Sequence, residues 1–409
     1  NNKEHKIYMK KVILFAGKEK SLQRKHPWLF SGAIQKKNAD LQEGDLVEVY
    51  SSGKDFLAKG YWQNETIAVK ILSFEKEDIN QEFFDKRVAS AVEYRRFLGL
   101  LDKQDNTIFR LINAEGDNLP GLIVDYYDGN IVLQFHSVGM YLLKDYIITS
   151  LLKYLPETRT VFSKSSSTLG RNKSIEAKDE FLYISKEITE SKEPLPDYFT
   201  GLENGMKFLI DYKEGQKTGF FIDQAANRKL VSELSKDKKV LNCFSYTGGF
   251  SVSALKGGAL EVESVDISDK ACRVCEQNVE INGLSERHRV VKQDVLSYLN
   301  TVADDEYDII VLDPPAFAKH NRDLQKALKG YRSINLSAML KIKKGGFLFT
   351  FSCSQAVSSQ DFFTMLFSCA VLSGRKVRMV KRLTHNFDHP QNIFHSEGEY
   401  LKGALLYIE

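Results

Sequence analysis

Proline is scarce in this chain: eight in 409 residues, where a usage of about 5% would give roughly twenty. Each one is therefore expected to mark a real break between elements. Long apolar runs are missing as well. No stretch approaches the roughly 18–20 apolar residues that span a bilayer, so a membrane is not expected as a partner. The run Val12 to Ala16 is too short for a signal-peptide core, and Lys18-Glu19-Lys20 interrupts it at once. Cysteine is sparse and uneven, at positions 243, 272, 275, 353 and 369 only. An odd number confined to one half makes a poor disulfide framework and an ordinary reduced count. A cytoplasmic location follows as an expectation. The residues before Met9 read as a tail outside the fold.

An excess of one charge is also missing, since 57 Lys+Arg oppose 54 Asp+Glu for a net +3. The distribution is less even. Residues 1–37 carry a net +8, which leaves −5 on the remainder. The N-terminal segment is thus a candidate anion-facing surface. What is present fits a globular protein: 43% hydrophobic positions exclude a mainly disordered chain, and the length calls for two or three domains.

Three grammars follow one another along the chain. Residues 10–74 give short β-like runs, VILFA, DLVEVY, FLAKGYW and TIAVKILSF, separated by Gly44-Asp45 and Ser51-Ser52-Gly53. They predict a small β-barrel-like module over 9–78. Phe84, Val88, Ala91, Val92 and Arg95 then repeat at helical spacing. Strand-like runs at 108–112, 121–126 and 130–136, a helix near 140–154, and strands near 160–164 and 180–184 complete an α+β middle domain over 79–193. Lys192-Glu193-Pro194-Leu195-Pro196-Asp197 reads as a linker. Over 194–409, apolar β runs alternate with helices: VLNCF, VESVD, HRVVKQD, YDIIVLD and GGFLFTFSC. That alternation predicts a Rossmann-like α/β domain with a parallel sheet covered on both faces.

The chemistry gathers at the ends of those strands. Val240 to Phe250 is a buried strand running into a Gly248-Gly249 turn and a helix, where backbone can approach a ligand closely. A full dinucleotide fingerprint is lacking. The next strand ends in Asp266, suited to accept hydrogen bonds from both hydroxyls of a ribose, and the third in Asp294, suited to an adenine amino group. Together they describe a nucleoside site without a diphosphate, which S-adenosylmethionine fits. The fourth strand ends in Asp313-Pro314-Pro315-Ala316-Phe317 and the fifth in Phe351-Ser352-Cys353-Ser354, bringing an acid and a thiol to the same edge.

Residues 240–250, 308–317 and 349–354 resemble motifs I, IV and VI of class I S-adenosylmethionine-dependent RNA methyltransferases. The chain as a whole resembles the bacterial 23S rRNA cytosine-5 methyltransferases that carry an N-terminal PUA domain. The likeness extends through Glu203-Asn204-Gly205, Lys217 to Gln224, Gly330-Tyr331 and the tail Asp388-His389-Pro390 … Glu397-Gly398-Glu399-Tyr400-Leu401-Lys402-Gly403. Upstream, His26 to Gly32 and Glu43-Gly44-Asp45 resemble a PUA signature.

The resemblance implies a cofactor set of Asp223, Asn242, Phe244, Ser245, Tyr246, Thr247, Gly248, Asp266, Ser268, Asp294, Val295, Asp313 and Pro314. It also implies a reaction. Carbon 5 of cytosine is a poor nucleophile, so a thiolate first adds to carbon 6. The enriched carbon 5 then takes the methyl group, its proton leaves, and the thiol is eliminated. Cys353 is the candidate nucleophile. Its thiol, ordinarily near pKa 8.5, needs nearby positive charge or helix N–H groups to ionise. Asp313 would face N3 and N4 of the base. Better-known enzymes of this chemistry place a second cysteine just after the motif IV prolines, whereas Ala316-Phe317 stands here; no residue is assigned to take the C5 proton.

The remaining thiols read as packing. Cys272-Arg273-Val274-Cys275 lacks the second pair a zinc site needs, so no metal is expected. For RNA, the basic run Lys319, Arg322, Lys326, Lys329, Arg332, Lys341, Lys343 and Lys344 follows motif IV, and Arg24, Lys25 and Trp28 lie in the basic N-terminal segment. Of these, Arg24, Lys25, Trp28, Lys319, Arg322, Lys326 and Arg332 are the candidate contacts to large-subunit rRNA. A second copy of the chain is the other candidate partner. Two alternatives stand beside the cytosine-5 reading: methylation of an exocyclic nitrogen, and a non-catalytic RNA-binding assembly factor. Ala316 in place of an aromatic after the prolines argues against the first, and intact Asp266, Asp313 and Cys353 against the second.

Overall fold

The computed structural model describes residues 9–170, 175–192, 194–318 and 321–409. It divides into two compact units. The first comprises the described residues up to 199 with 211–219 and 387–398, the second the described residues of 200–210, 220–386 and 399–409.

The first unit holds two sheets. In the six-stranded one the order is Trp28–Phe30, Ile67–Ser73, Phe56–Trp62, Leu46–Tyr50, Lys10–Leu14 and Ile34–Lys37. Only Lys10–Leu14 and Leu46–Tyr50 run parallel. Val47 and Val49 alternate with half-buried neighbours, so one face of that strand closes on Val12, Leu14, Leu29 and Val69. The five-stranded sheet runs Asp179–Ile184, Thr160–Lys164, Asn130–Phe135, Leu122–Tyr127 and Ile108–Asn113. Its apolar face packs against Phe84, Val88 and Val92 of helix Gln81–Phe97 and Ile147 and Leu151 of helix Lys144–Tyr154. The helix expected over 140–154 is in fact two, Val138–Leu142 and Lys144–Tyr154, broken at Leu143. Segment 387–398 is held in this unit by buried polar groups. The Asp388 carboxylate accepts from the Arg110 N–H (2.9 Å), and fully buried Arg95 donates to the Asp388 carbonyl (2.7 Å).

The second unit is a seven-stranded sheet: β1 (Lys239–Cys243), β2 (Glu261–Asp266), β3 (His288–Lys292), β4 (Ile309–Leu312), β5 (Gly346–Ser352), β6 (Val377–Leu383) and β7 (Lys402–Ile408). The order is β3-β2-β1-β4-β5-β7-β6. The first five strands are parallel, and β7 is antiparallel to both β5 and β6. Order reverses between β1 and β4, the switch point where open α/β sheets take ligands at their carboxyl ends. Six helices serve the sheet: α1 (Ala225–Leu234), α2 (Gly249–Lys256), α3 (Asp269–Glu280), α4 (Val295–Thr301), α5 (Leu324–Lys341) and α6 (Ser359–Ser373). Leu241, Ile310, Leu312 and Leu348 form a core with Tyr331, Ile334 and Ala338 of α5 and Phe362, Met365 and Leu366 of α6. Truncating one such leucine costs about 2–5 kcal/mol.

Five strand runs read from the sequence reappear as β1–β5. β6 and β7 were not foreseen, nor was the hairpin Phe199–Glu203/Met206–Ile210. β6 is an edge strand carrying Arg378, Lys381 and Arg382, and most of it is exposed. Its charges suppress the apolar alternation that betrays a strand while protecting the edge. Among the described residues, no helix is long and apolar enough to cross a membrane.

Candidate active site

After β1 the backbone turns left-handed at Phe244 (φ 58°), Tyr246 (φ 47°) and Gly248 (φ 82°). A Cβ at Gly248 would meet Cys275 Sγ at 2.5 Å, so glycine is required where the loop enters α2. The conformation of the other two is costly and must be held by neighbours. Asp266, ending β2, does this for Tyr246. Its Oδ2 accepts from the Tyr246 N–H and its Oδ1 from the Ser268 N–H, each at 2.9 Å. Thr247 is fixed from α3, whose Asn278 donates to its carbonyl (2.8 Å).

Beneath the loop runs a buried polar chain. Asn242 Nδ2 donates to Ser251 Oγ (2.8 Å), Ser251 and Ser264 share a bond of 2.6 Å, and Ser264 Oγ meets His288 Nε2 at 2.7 Å. Burial pushes His288 down to about 4, so the ring stays neutral. The chain orients Asn242 and, among the described residues, leaves its Oδ1 buried without a partner; Ser245 Oγ is in the same state. Such an atom costs about 1–3 kcal/mol, and two at the end of β1 and the turn after it fit a polar ligand that satisfies both. With Asp266 beside them, these donors and acceptors suit the nucleoside of S-adenosylmethionine.

The other expected cofactor residues are distributed around this edge. Ser268 caps α3 through the Ala271 N–H (3.3 Å), and Asp294 caps α4 through the Ser297 N–H (2.9 Å). Asp294 is exposed, while Val295 behind it is buried. Asp223 is buried ahead of α1, its Oδ2 accepting from the Tyr400 hydroxyl (2.6 Å) and its carbonyl from the Asn386 N–H (2.9 Å). The turn before it is held by Arg228, which grips Glu203 bidentately at 2.6 Å and donates to the Phe221 carbonyl (2.8 Å). Removing one member of so buried a pair costs about 3–5 kcal/mol.

Across the switch point, β4 and β5 bring Asp313, Pro314 and Cys353 together. Cys353 Sγ lies 3.8 Å from the Pro314 carbonyl, as S–H donor. Gln224 Nε2 donates to Asp313 Oδ1 (3.1 Å) and is itself steadied by Asn227, which bonds its Oε1 (2.6 Å) and the Thr384 carbonyl (3.1 Å). Beside the thiol, Ser354 Oγ bonds the Tyr331 hydroxyl (2.9 Å), and the Lys402 ammonium donates to the Ser354 carbonyl (2.7 Å). Cys353 is half-buried; the other four cysteines are buried. Burial pushes the thiols of Cys243 and Cys272 up, Cys275 up to about 12 and Cys369 up to about 11. Those four are inert packing groups. Gln224, Asn227, Tyr331 and Lys402 escaped selection from the sequence. Their roles depend on which distant strand or helix they meet, although three of them lie in stretches that carry the family likeness.

The candidate RNA contacts fall into separate groups. On α5, Lys326, Lys329 and Arg332 are exposed at three-residue spacing, and Arg322 is exposed just before the helix. Lys319 lies outside the described residues. Lys341 and Lys343 are engaged by Asp304 (2.8 Å) and Asp308 (3.2 Å). In the first unit Arg24 and Lys25 are exposed, with the Lys25 ammonium 4.7 Å from the Phe74 ring centre. Trp28 turns inward: its indole N–H donates to Glu115 (2.8 Å) and its ring meets His395 at 4.3 Å. That N–H is spent within the protein.

A polar cradle on one side of the switch point and an acid with a thiol on the other suit group transfer from a nucleoside-bearing donor. Residues 171–392 match the family model of S-adenosylmethionine-dependent methyltransferases, and residues 12–74 match that of a PUA-like domain. The protein is therefore an S-adenosylmethionine-dependent methyltransferase with an N-terminal PUA-like domain. More particularly, the chain belongs to the family of ribosomal RNA large subunit methyltransferase I. That protein from Aeromonas hydrophila is 36% identical over 400 residues, covering 97% of this chain and 98% of its own. Its counterpart from Escherichia coli O157:H7 is 35% identical over 398 residues, covering 96% and 98%. In fold, the chain is similar to the solved structure of a candidate S-adenosylmethionine-dependent methyltransferase from Streptococcus mutans. The TM-score is 0.81 at 23% identity, over 98% of this chain and all of the other.

Proposed function

We propose that this methyltransferase acts on carbon 5 of a cytosine in large-subunit ribosomal RNA, with Cys353 as covalent nucleophile, in the cytoplasm. The substrate class is supported by the relatives, which are named for large-subunit rRNA. The choice of carbon 5 rests on one observation above all: the half-buried thiol of Cys353 beside Asp313-Pro314, where the other four thiols are enclosed. Bound S-adenosylmethionine supplies an electrophilic methyl group at this edge. The chain's residues prepare the base. Cys353 Sγ adds to carbon 6 and makes carbon 5 electron-rich; Asp313, oriented by Gln224, faces N3 and N4 and holds a proton at N3 where the ring gains negative charge. Once carbon 5 has taken the methyl group its proton leaves, the C6–S bond breaks with its electron pair returning to sulfur, and the double bond of the base re-forms. Asp266 and Asp294 would hold ribose and adenine, with Asn242 and Ser245 supplying the unsatisfied polar atoms. The segments 9–78 and 79–193 would position the RNA for the domain over 194–409.

The exocyclic-nitrogen alternative draws less support. Phe317, the nearest aromatic after the prolines, packs on Tyr331 with ring centres 4.6 Å apart, which occupies it as a stacking platform. Bisulfite sequencing of rRNA from cells carrying wild-type or Cys353→Ala protein tests the proposal. One cytosine should be protected in the wild type and lose protection in the variant. A methylated amine on the product base, or full activity of Cys353→Ala, sinks the adduct.

A further inference from the structure

Lys402 begins β7 and faces Ser352 in the antiparallel register with β5, one residue before Cys353. It is only 4% exposed. Its ammonium is fixed on the Ser354 carbonyl at 2.7 Å, and among the described residues no carboxylate forms an ion pair with it. A buried cation so placed is expensive unless an anion compensates it. Glu399 precedes it on the same segment and Cys353 faces it electrostatically from β5; Cys353 in turn meets the Pro314 carbonyl from the end of β4, and Tyr331 from α5 bonds Ser354. Tyr331 is no source of charge, since burial pushes its phenol up and negative charge on Cys353 pushes it further. Burial pushes Lys402 down, opposed first by charge on Cys353 and then by Glu399. The Pro314 carbonyl, as acceptor of the S–H, favours the un-ionised thiol, and the Lys402 ammonium, held on the Ser354 carbonyl one residue beyond Cys353, opposes it.

We propose that Lys402 is the positioning residue that ionises Cys353, the two forming an ammonium–thiolate pair in the free enzyme. The inference deepens the reading of Cys353 as nucleophile and rests on it for its purpose. The pair titrates as a unit. One proton leaves to solvent, the S–H bond breaks with its electron pair remaining on sulfur, and the other proton stays on Lys402 Nζ. No co-reactant is needed.

The test uses the full-length protein without RNA or cofactor. Iodoacetamide alkylation of Cys353 is followed against pH by peptide mass spectrometry, the four enclosed cysteines acting as internal controls. Wild type should react with a midpoint below the ordinary thiol value of about 8.5. Lys402→Met, close in length and able to fill the buried site, should raise the midpoint and slow alkylation at pH 7 by about tenfold. Lys402→Arg should restore most of the rate. An unchanged midpoint in a Lys402→Met protein with wild-type melting temperature overturns the pairing. If Lys402→Met does not fold, a wild-type midpoint at or above about 8.5 overturns it equally. Methyl transfer by Cys353→Ala is measured alongside. Retained activity there, with the lysine-dependent shift intact, removes the nucleophile reading and leaves the pair standing.

Discussion

The two halves of the catalytic edge are built by different means. At the ends of β1 and β2, geometry comes from backbone and near neighbours: Asp266 accepts from Ser268 two residues on, and from Tyr246 twenty residues back. At the ends of β4 and β5, each group is set by a side chain from far along the chain. Gln224 reaches Asp313 across 89 positions, and Lys402 reaches Ser354 across 48. The first half is a loop closed by short-range backbone contacts and braced by Asn278 and the Ser251–Ser264–His288 chain. The second exists only once α1, α5 and β7 have packed. Binding the donor and activating the acceptor are thereby separable in structure, and variants should separate them in function.

The largest effect should come from the second half. Cys353→Ala is expected to lower single-turnover methyl transfer by about a thousandfold or more, while calorimetric affinity for S-adenosylmethionine stays near wild type. Asp266→Ala should do the converse. It removes a charged acceptor from two backbone N–H groups and from the proposed ribose site. Hydrogen bonds to charged groups are worth about 1.5–3 kcal/mol each, so Kd should rise about 10- to 100-fold and kcat at saturating donor should fall far less. Equal losses of kcat and affinity in Asp266→Ala would erase the division between halves.

A smaller effect, confined to the first half, is expected at Gly248. Alanine there must adopt φ near +82° and push a Cβ toward Cys275 Sγ. The cost should be about 1–3 kcal/mol, visible as a lower Tm and weaker donor binding. The alkylation rate of Cys353 should not change, because its contact with the Pro314 carbonyl lies across the switch point. A changed thiol rate in Gly248→Ala would mean that the halves are mechanically joined.

The same contrast explains what the sequence made legible. The β1–β5 core, the Gly248 turn and the strand-ending acids Asp266, Asp294 and Asp313 could be read, because apolar runs and short-range turn chemistry are local signals. Asn242 was chosen only by family likeness; that its Oδ1 is buried without a partner depends on Ser251, Ser264 and His288 from three other elements. β6 hid behind surface charge. Trp28 looked like an RNA-facing aromatic among cations, yet its N–H meets Glu115, 87 positions away. Lys402 stood in plain view as one more lysine, and nothing local says that it is buried.

The smallest expected effect concerns the basic stretch after β4, where composition alone treats every cation alike. Lys326 and Arg332 are exposed on one side of α5, with Lys329 between them, whereas Lys341 and Lys343 already answer Asp304 and Asp308. A lysine that neutralises an RNA phosphate releases a counterion, and its loss lowers the salt slope of binding by about one. Fluorescence anisotropy with an rRNA fragment over a salt series should therefore show a slope reduced by about two in the Lys326→Ala/Arg332→Ala double variant. Affinity at moderate salt should drop several-fold whatever the sequence. Lys341→Ala/Lys343→Ala should leave the slope where it is, since those charges are spent inside the protein. Equal slopes for the two pairs would mean that RNA reads the charge of the whole segment, and the distinction drawn from the ion pairs would fall.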